Sequence, residues 1–248
     1  MRRFVQVGLL VLSGLGLLQT SLFTEAYLRY VKEGMRPLLI ASGVLLILLG
    51  AAEAWSAWRS AGRPEEDDDG HGHGHSGVPR VAWLLFLPAL SLLFYAPPAL
   101  GSYTASREGP KAVAVVDEDG FDPLPATSPL PITLTDFTQR VQQDKARSID
   151  GRTVRMTGFV TPAGGGEGWY LTRIMLSCCA ADAQSVKVRV YGVEAPKADT
   201  WVTVTGTWHA QGTLGTSSAA VALDGRTVGK IERPVNGYTD ALPLPLGS

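Results

Sequence analysis

The sequence predicts a membrane protein with three N-terminal transmembrane α-helices, followed by a small C-terminal all-β barrel of the OB-like type with one short helix. Long apolar stretches fill residues 1–101, where residues 59–80 form an acidic, histidine-containing loop. A proline-rich linker follows over residues 102–131, and short alternating segments occupy residues 132–248. These three kinds of composition divide the chain into a membrane anchor, a linker and a folded domain.

Each apolar stretch is long enough to cross a bilayer. The stretches lie at about residues 4–25, 37–58 and 81–100, and a hydrocarbon core of roughly 30 Å needs about 20 apolar residues as a helix. Aromatic residues near the stretch ends fit interfacial belts; they are Tyr27, Tyr30, Trp55, Trp58, Trp83, Tyr95 and Tyr103. Because Arg2 and Arg3 precede the first stretch, a cleaved signal peptide is the alternative reading of that stretch.

The positions of the basic residues favour a multi-pass protein of the cell membrane with an extracytoplasmic C-terminal domain. Basic residues are shared evenly between the two sides of the predicted spans, so the positive-inside rule depends on the pair Arg2 and Arg3, which lies closest to the first span. That pair places the N-terminus in the cytoplasm. Three crossings then carry the C-terminal domain to the opposite side.

Composition excludes several classes of function. The chain has 22 basic and 23 acidic residues, and the region from Ile132 onward has 12 against 10, without a basic cluster. Nucleic acid is therefore not an expected partner. Two cysteines are too few for a disulfide scaffold or a four-cysteine zinc ribbon. We find no nucleophile triad, phosphate loop or paired-carboxylate signature.

The loop at residues 59–80 combines an acidic run with alternating histidines. Residues 65–69 are all acidic, and His71, His73 and His75 alternate with glycine. Such a segment either chelates zinc, copper or nickel loosely or acts as a solvated spacer between two helices. The alternation imposes no fixed geometry, so a metal site here would be weak and exchangeable.

The C-terminal region has the periodicity of short strands. A capped helix is predicted at 135–148. Strands are predicted at 153–161, 169–176, 185–191, 201–208, 217–223 and 226–232. Asp224-Gly225 is predicted to be the turn of the last pair. Gly158 and Gly206 fall in mid-strand, where a bend or bulge is expected.

The two cysteines are adjacent, at Cys178 and Cys179, between two predicted strands. Adjacent Cα atoms are about 3.8 Å apart, which is too close for an unstrained disulfide. The pair is therefore a soft-metal site, a redox pair or simply packed. Asp182 could complete a metal site if the connection folds back, and His209 is a further candidate. Together these four ligands would suit tetrahedral zinc.

The phrase LTRIMLSCCAADAQSVKVRV, which contains both cysteines, resembles a signature of a bacterial family of uncharacterised membrane proteins labelled permease subunits, the YcgQ-like family. Cys179, Ala181 and Asp182 match its Cys-x-Ala-Asp element. Weaker similarities are LTDF at 134–137 and the strands GRTVRMTGFV and DTWVTVTGTW. The order of spans, histidine-containing loop and β-rich domain is also similar.

The resemblance implies a multi-span permease partner in the same membrane and, for some members, a link with zinc-responsive regulation. It implies no biochemical activity, since none is established for the family. The loop at 59–80 departs from the metal-rich members because it has three histidines and no cysteine.

We therefore expect a non-enzymatic accessory subunit of a membrane permease in divalent-metal handling, with zinc the expected metal. The second stretch contains a single ionisable side chain, Glu53, and the third contains none, so an ion path would need a partner in the bilayer. A membrane-tethered thiol oxidoreductase is the first alternative. A structural module that recruits a partner is the second.

Overall fold

The computed structural model describes residues 2–60, 100–108, 120–234 and 237–242. The chain divides into two compact units. The first comprises Met1–Arg29 and Glu33–Ala99, and the second comprises Tyr30–Lys32 and Leu100–Ser248.

Two long helices, α1 (Arg2–Leu22) and α2 (Arg36–Ser60), make up most of the described part of the first unit. Among the described residues, one helical stretch, Glu33–Arg59, is long and apolar enough to cross a membrane. The apolar part of α1, Gln6–Leu22, is shorter. The predicted span at 81–100 lies, apart from Leu100, outside the described residues, so the three-span arrangement stays a prediction.

Glycines let α1 and α2 approach closely. A Cβ on Gly14 would lie 2.7 Å from the carbonyl oxygen of Gly43, and a Cβ on Gly50 would lie 2.8 Å from Cγ2 of Val11. Small residues at such a contact allow the two helix backbones to pack closely through van der Waals contacts. The Nε of Arg36 donates to the carbonyl of Ser21 at 2.9 Å and so satisfies a group at the end of α1.

The described part of the second unit contains two α-helices and six strands. The helices are α3 (Ser102–Arg107) and α4 (Leu134–Gln143). The strands are β1 (Leu130–Pro131), β2 (Thr153–Pro162), β3 (Trp169–Met175), β4 (Gln184–Tyr191), β5 (Trp201–Trp208) and β6 (Ala222–Lys230). Alternation of buried valines, such as Val186, Val188 and Val190 in β4, gives these segments one core-facing side.

The strands form one mixed sheet in the order β1-β2-β3-β4-β6-β5, and β2 also pairs with β5. The pairs β1–β2 and β4–β6 are parallel, and the other pairs are antiparallel. Hydrogen bonding therefore runs from β2 through β3, β4, β6 and β5 and back to β2. The prediction of N-terminal helices followed by a small β-rich domain is confirmed at this level.

Two predicted boundaries are wrong. Residues 222–230 form a single strand, because Asp224 and Gly225 pair with Thr207 and Gly206 of β5 instead of turning. The register shifts between Thr205 and Gly206, where a mid-strand irregularity is expected.

The second wrong boundary is the end of the helix predicted at 135–148. Helix α4 ends at Gln143 because the Asp144 carboxylate accepts the amides of Ala146 at 2.9 Å and Ser148 at 3.0 Å, which forms a turn. Its N-cap is Thr133, whose hydroxyl accepts the amide of Asp136 at 3.0 Å.

The described parts of the predicted linker are bonded to the domain. Asp199 accepts the amide and hydroxyl of Ser102 at 2.6 and 2.7 Å, and Lys187 donates to the carbonyls of Ala105 and Glu108 at the other end of α3. These contacts hold α3 at both ends. Residues 109–119 lie outside the described residues.

The segment at 237–242 fastens α4 to β3. The Asp240 carboxylate accepts the amide and the hydroxyl of Thr135, both at 2.6 Å, and lies 3.8 Å from Nε of the buried Arg173. Burial lowers the pKa of Arg173, and the charge of Asp240 opposes that shift. Asp240 is thus both a helix cap and the counter-ion of a buried guanidinium.

We expect Gly14→Val to destabilise the α1–α2 pair by ~1–3 kcal/mol, because the new side chain meets the backbone of Gly43. Gly16→Val is the matched control, since a Cβ at Gly16 has no atom within 4 Å. Helix content during SDS titration of the detergent-solubilised chain measures both. Equal midpoints for the two variants would contradict the close contact.

We expect Asp240→Ala to destabilise the second unit by ~3–5 kcal/mol, because it leaves Arg173 buried without its counter-ion. Asp224→Ala is the control, since it breaks a more exposed pair with His209 and should cost ~1 kcal/mol or less. Urea unfolding followed by tryptophan fluorescence, to which the buried Trp169 contributes, reports both values. A similar cost for the two variants would rule out this role of Asp240.

Candidate metal site

The two cysteines lie in the connection between β3 and β4. Met175 pairs with Gln184 across the antiparallel pair, so residues 176–183 form the connection. Leu176 is buried, and its amide donates to the carbonyl of Tyr238 at 3.2 Å. The connection is anchored where it leaves β3, and both cysteines lie beyond the strand end.

Asp182 folds this connection back on itself. One carboxylate oxygen accepts the amide of Ser177 at 2.8 Å, and the other accepts the amides of Cys178 at 2.7 Å and Cys179 at 3.3 Å. A single 3₁₀ turn, Ala180–Asp182, brings the carboxylate round to these amides, with Cys179 as its N-cap. The carboxylate therefore fixes the backbone of both cysteines.

The fold-back brings three potential ligands together. The sulfurs of Cys178 and Cys179 and a carboxylate oxygen of Asp182 all lie within 4.8 Å of one another. Cys178 is exposed, Cys179 is half-buried, and both are free thiols. Thiolate sulfur and carboxylate oxygen are ligand types that zinc accepts.

A hydrogen bond between the Cys178 thiol and the Asp182 carboxylate shifts the pKa values of both groups. The Cys178 thiol donates to the Asp182 carboxylate, which raises the pKa of Cys178 to about 11, with a smaller contribution from Cys179. The same hydrogen bond, together with the backbone amides, lowers the pKa of Asp182 to about 2. At neutral pH the cluster therefore holds an ionised carboxylate and a protonated Cys178.

A short extended segment pairs with the cysteine backbone inside the second unit. Val31 and Cys179 form an antiparallel bridge. The amide of Lys32 donates to the carbonyl of Cys178 at 3.0 Å, and the amide of Ala180 donates to the carbonyl of Tyr30 at 2.6 Å. The outer edge of the cysteine connection is thus hydrogen-bonded on both sides of Cys179.

His209 is not brought to the cysteines. It follows β5, donates its amide to the carbonyl of Ala222, and its Nδ1 lies 2.7 Å from the Asp224 carboxylate. Its ring packs on Tyr191, the last residue of β4, with centroids 4.6 Å apart. The cysteine connection precedes Gln184 at the other end of β4, about 20 Å away at roughly 3.3 Å per residue. His71, His73 and His75 lie outside the described residues.

The segment that contains the cysteine connection is similar to a described domain family. Residues 130–239 match the DUF1980 C-terminal domain. The match begins at β1, ends beside the segment that caps α4, and contains Cys178, Cys179 and Asp182. Comparison of the chain with curated proteins and with solved structures gives no match to either.

Sequence reasoning found the cysteines and Asp182 but missed the residues that hold them. Tyr30–Lys32 is three residues between two apolar helices, and no local pattern indicates that it pairs with residues 178–180. The carbonyl of Tyr238 contributes through the backbone, which any residue type could provide. Asp182 alone could be identified from the sequence, because it lies three residues after Cys179, which is the position of the carboxylate in a capping box.

We expect Asp182→Asn to move the pKa of Cys178 from about 11 towards the ordinary thiol value, because the charged acceptor of the thiol proton is lost. The pH midpoint of iodoacetamide alkylation in a Cys179→Ser background measures this directly, since only the thiolate reacts. Ser177→Ala is the control, because Ser177 contributes its backbone amide alone to Asp182. An unchanged midpoint in Asp182→Asn would contradict the thiol–carboxylate hydrogen bond.

Proposed function

We propose that this chain is a non-enzymatic accessory subunit of a membrane permease and that it binds zinc on its C-terminal domain. The observation that carries the proposal is the convergence of Cys178, Cys179 and Asp182, whose ligand atoms lie within 4.8 Å of one another on one connection. Metal binding is one of three roles that the sequence leaves open for the cysteine pair. The fold-back of Asp182 supports it most directly.

The donor set fits zinc. Two thiolates and one carboxylate are ligands of the types found in zinc sites. A tetrahedral ion would have one further position, which solvent or a ligand from a partner could fill. The exposure of Cys178 leaves that side of the cluster open. These features suit an exchangeable site rather than a closed structural one.

The residues of this chain have separate tasks in binding. Cys178 and Cys179 supply soft ligands, and a zinc ion bound there would balance the thiolate charge. Asp182 orients the backbone of both cysteines and holds the proton of Cys178. Binding requires the thiolate, so that proton leaves to solvent, and affinity rises with pH.

The permease partner rests on the family resemblance and on the character of the helices. The second stretch contains one ionisable residue, Glu53, near its end, so the chain offers little for an ion path of its own. The same resemblance supports three membrane spans, and the position of Arg2 and Arg3 before the first span supports an extracytoplasmic domain. The cyclic pairing of β2 to β6 supports an OB-like barrel, whose parallel pair corresponds to β4 and β6.

The thiol-redox alternative fits the cluster less well. A reactive thiol needs a lowered pKa, whereas the Asp182 carboxylate raises the pKa of Cys178 to about 11. The adjacent negative charge favours a cation at this position over a nucleophilic thiolate.

We expect the full chain in detergent to bind zinc, and Cys179→Ser to weaken binding by at least about a hundredfold through loss of one thiolate. Competition with a chromophoric chelator gives the affinities. His209→Ala is the matched control, because the structure places that ring at the other end of β4. Wild-type protein that binds no zinc, or equal loss in both variants, would refute the site.

The same pair of variants tests zinc handling in cells. A strain that lacks the chain should differ from wild type in its zinc content, and His209→Ala should restore the wild-type content while Cys179→Ser should not. If Cys179→Ser also restored the wild-type zinc content, the permease role would not depend on the cysteine site.

A further inference from the structure

The pairing between Tyr30–Lys32 and the cysteine connection has a register centred on the candidate site. Its two hydrogen bonds use the carbonyl of Cys178 and the amide of Ala180, which flank Cys179. Cys179 itself lies opposite Val31 in the bridge. The groups that pair with this segment thus belong to the residues that carry or adjoin the sulfurs.

The inner side of the same backbone is fixed by Asp182. Its carboxylate accepts the amides of Ser177, Cys178 and Cys179, while the carbonyl of Cys178 and the amide of Ala180 face Tyr30–Lys32. The short backbone stretch at 177–180 is therefore held from both sides. A metal ion bound by both sulfurs and by Asp182 would fix this stretch further.

We propose that Tyr30–Lys32 is a positioning element of the metal site, and that zinc binding and docking of this segment strengthen each other. The proposal rests on the proposed zinc site. Docking orders the Cys178–Ala180 backbone before a metal arrives, so binding loses less conformational entropy. Because such coupling is reciprocal, bound zinc stabilises the docked segment by the same factor.

Zinc binding at the cysteines would act on a segment that lies between α1 and α2 in the chain. Tyr30–Lys32 lies between two 3₁₀ turns, Ala26–Arg29 and Glu33–Met35, in the connection from α1 to α2. The zinc-loaded domain would hold this connection more firmly than the metal-free domain. Zinc would then stabilise Tyr30–Lys32 in its docked position against the cysteine connection.

The first test needs no variant of the segment. Hydrogen exchange is measured on the wild-type full chain in nanodiscs, with and without zinc. We expect zinc to slow exchange of the Lys32 and Ala180 amides at least tenfold. Cys179→Ser should abolish the change. The amide of Val202, in the buried part of β5, is an internal reference that should not respond.

The second test removes one hydrogen bond. Lys32→Pro deletes the amide that donates to Cys178, and we expect zinc affinity to fall about three- to tenfold. Lys32→Ala keeps that amide and removes only the charged side chain, so its affinity should stay within about twofold of wild type. Tryptophan fluorescence checks that both variants remain folded.

The outcomes separate the two proposals. If wild-type protein binds zinc but the Lys32 amide exchanges at the same rate, the coupling is wrong and the metal site stands. Equal zinc affinities for Lys32→Pro and Lys32→Ala would lead to the same conclusion. If wild-type protein binds no zinc, the metal site fails and the coupling fails with it.

Discussion

The shared pairing of β2 is the constraint on which the second unit depends. Its first part pairs with β5 and its last part with β3, and the two ladders meet at Phe159. The strand changes partner beside Gly158, where a Cβ would lie 2.7 Å from the carbonyl of Thr172. Glycine therefore permits the close approach of β2 and β3. The β3–β4 pair, which presents the cysteine connection, depends on that approach.

Much of the fold could be predicted because its signals are local. The valines of β4 alternate, since only one face of that strand is buried. The turn predicted at Asp224-Gly225 is wrong because the same dipeptide suits a turn and a bulge. Only its pairing with β5 shows that it lies inside β6. The residues of the candidate site also differ in whether local sequence identifies them. Cys178, Cys179 and Asp182 are neighbours in sequence, whereas the segment Tyr30–Lys32 and the position of His209 depend on tertiary pairing.

Asp182 explains why two adjacent thiols can occupy an exposed connection in one defined arrangement. Backbone amides satisfy its carboxylate, and the remaining acceptor capacity holds the Cys178 proton. Loss of that proton without a cation would place a thiolate beside a carboxylate, which is unfavourable. In the proposed function, a bound cation would replace that proton. The raised pKa of Cys178 makes the thiol a poor nucleophile at neutral pH.

Glycines determine how closely α1 and α2 approach each other. Gly14 and Gly43 bring the two backbones together, and the apolar faces of α2 remain exposed, as in Leu38, Leu45 and Leu48. No residue that the structure describes covers these side chains, and apolar surface of this kind suits lipid or another apolar helix.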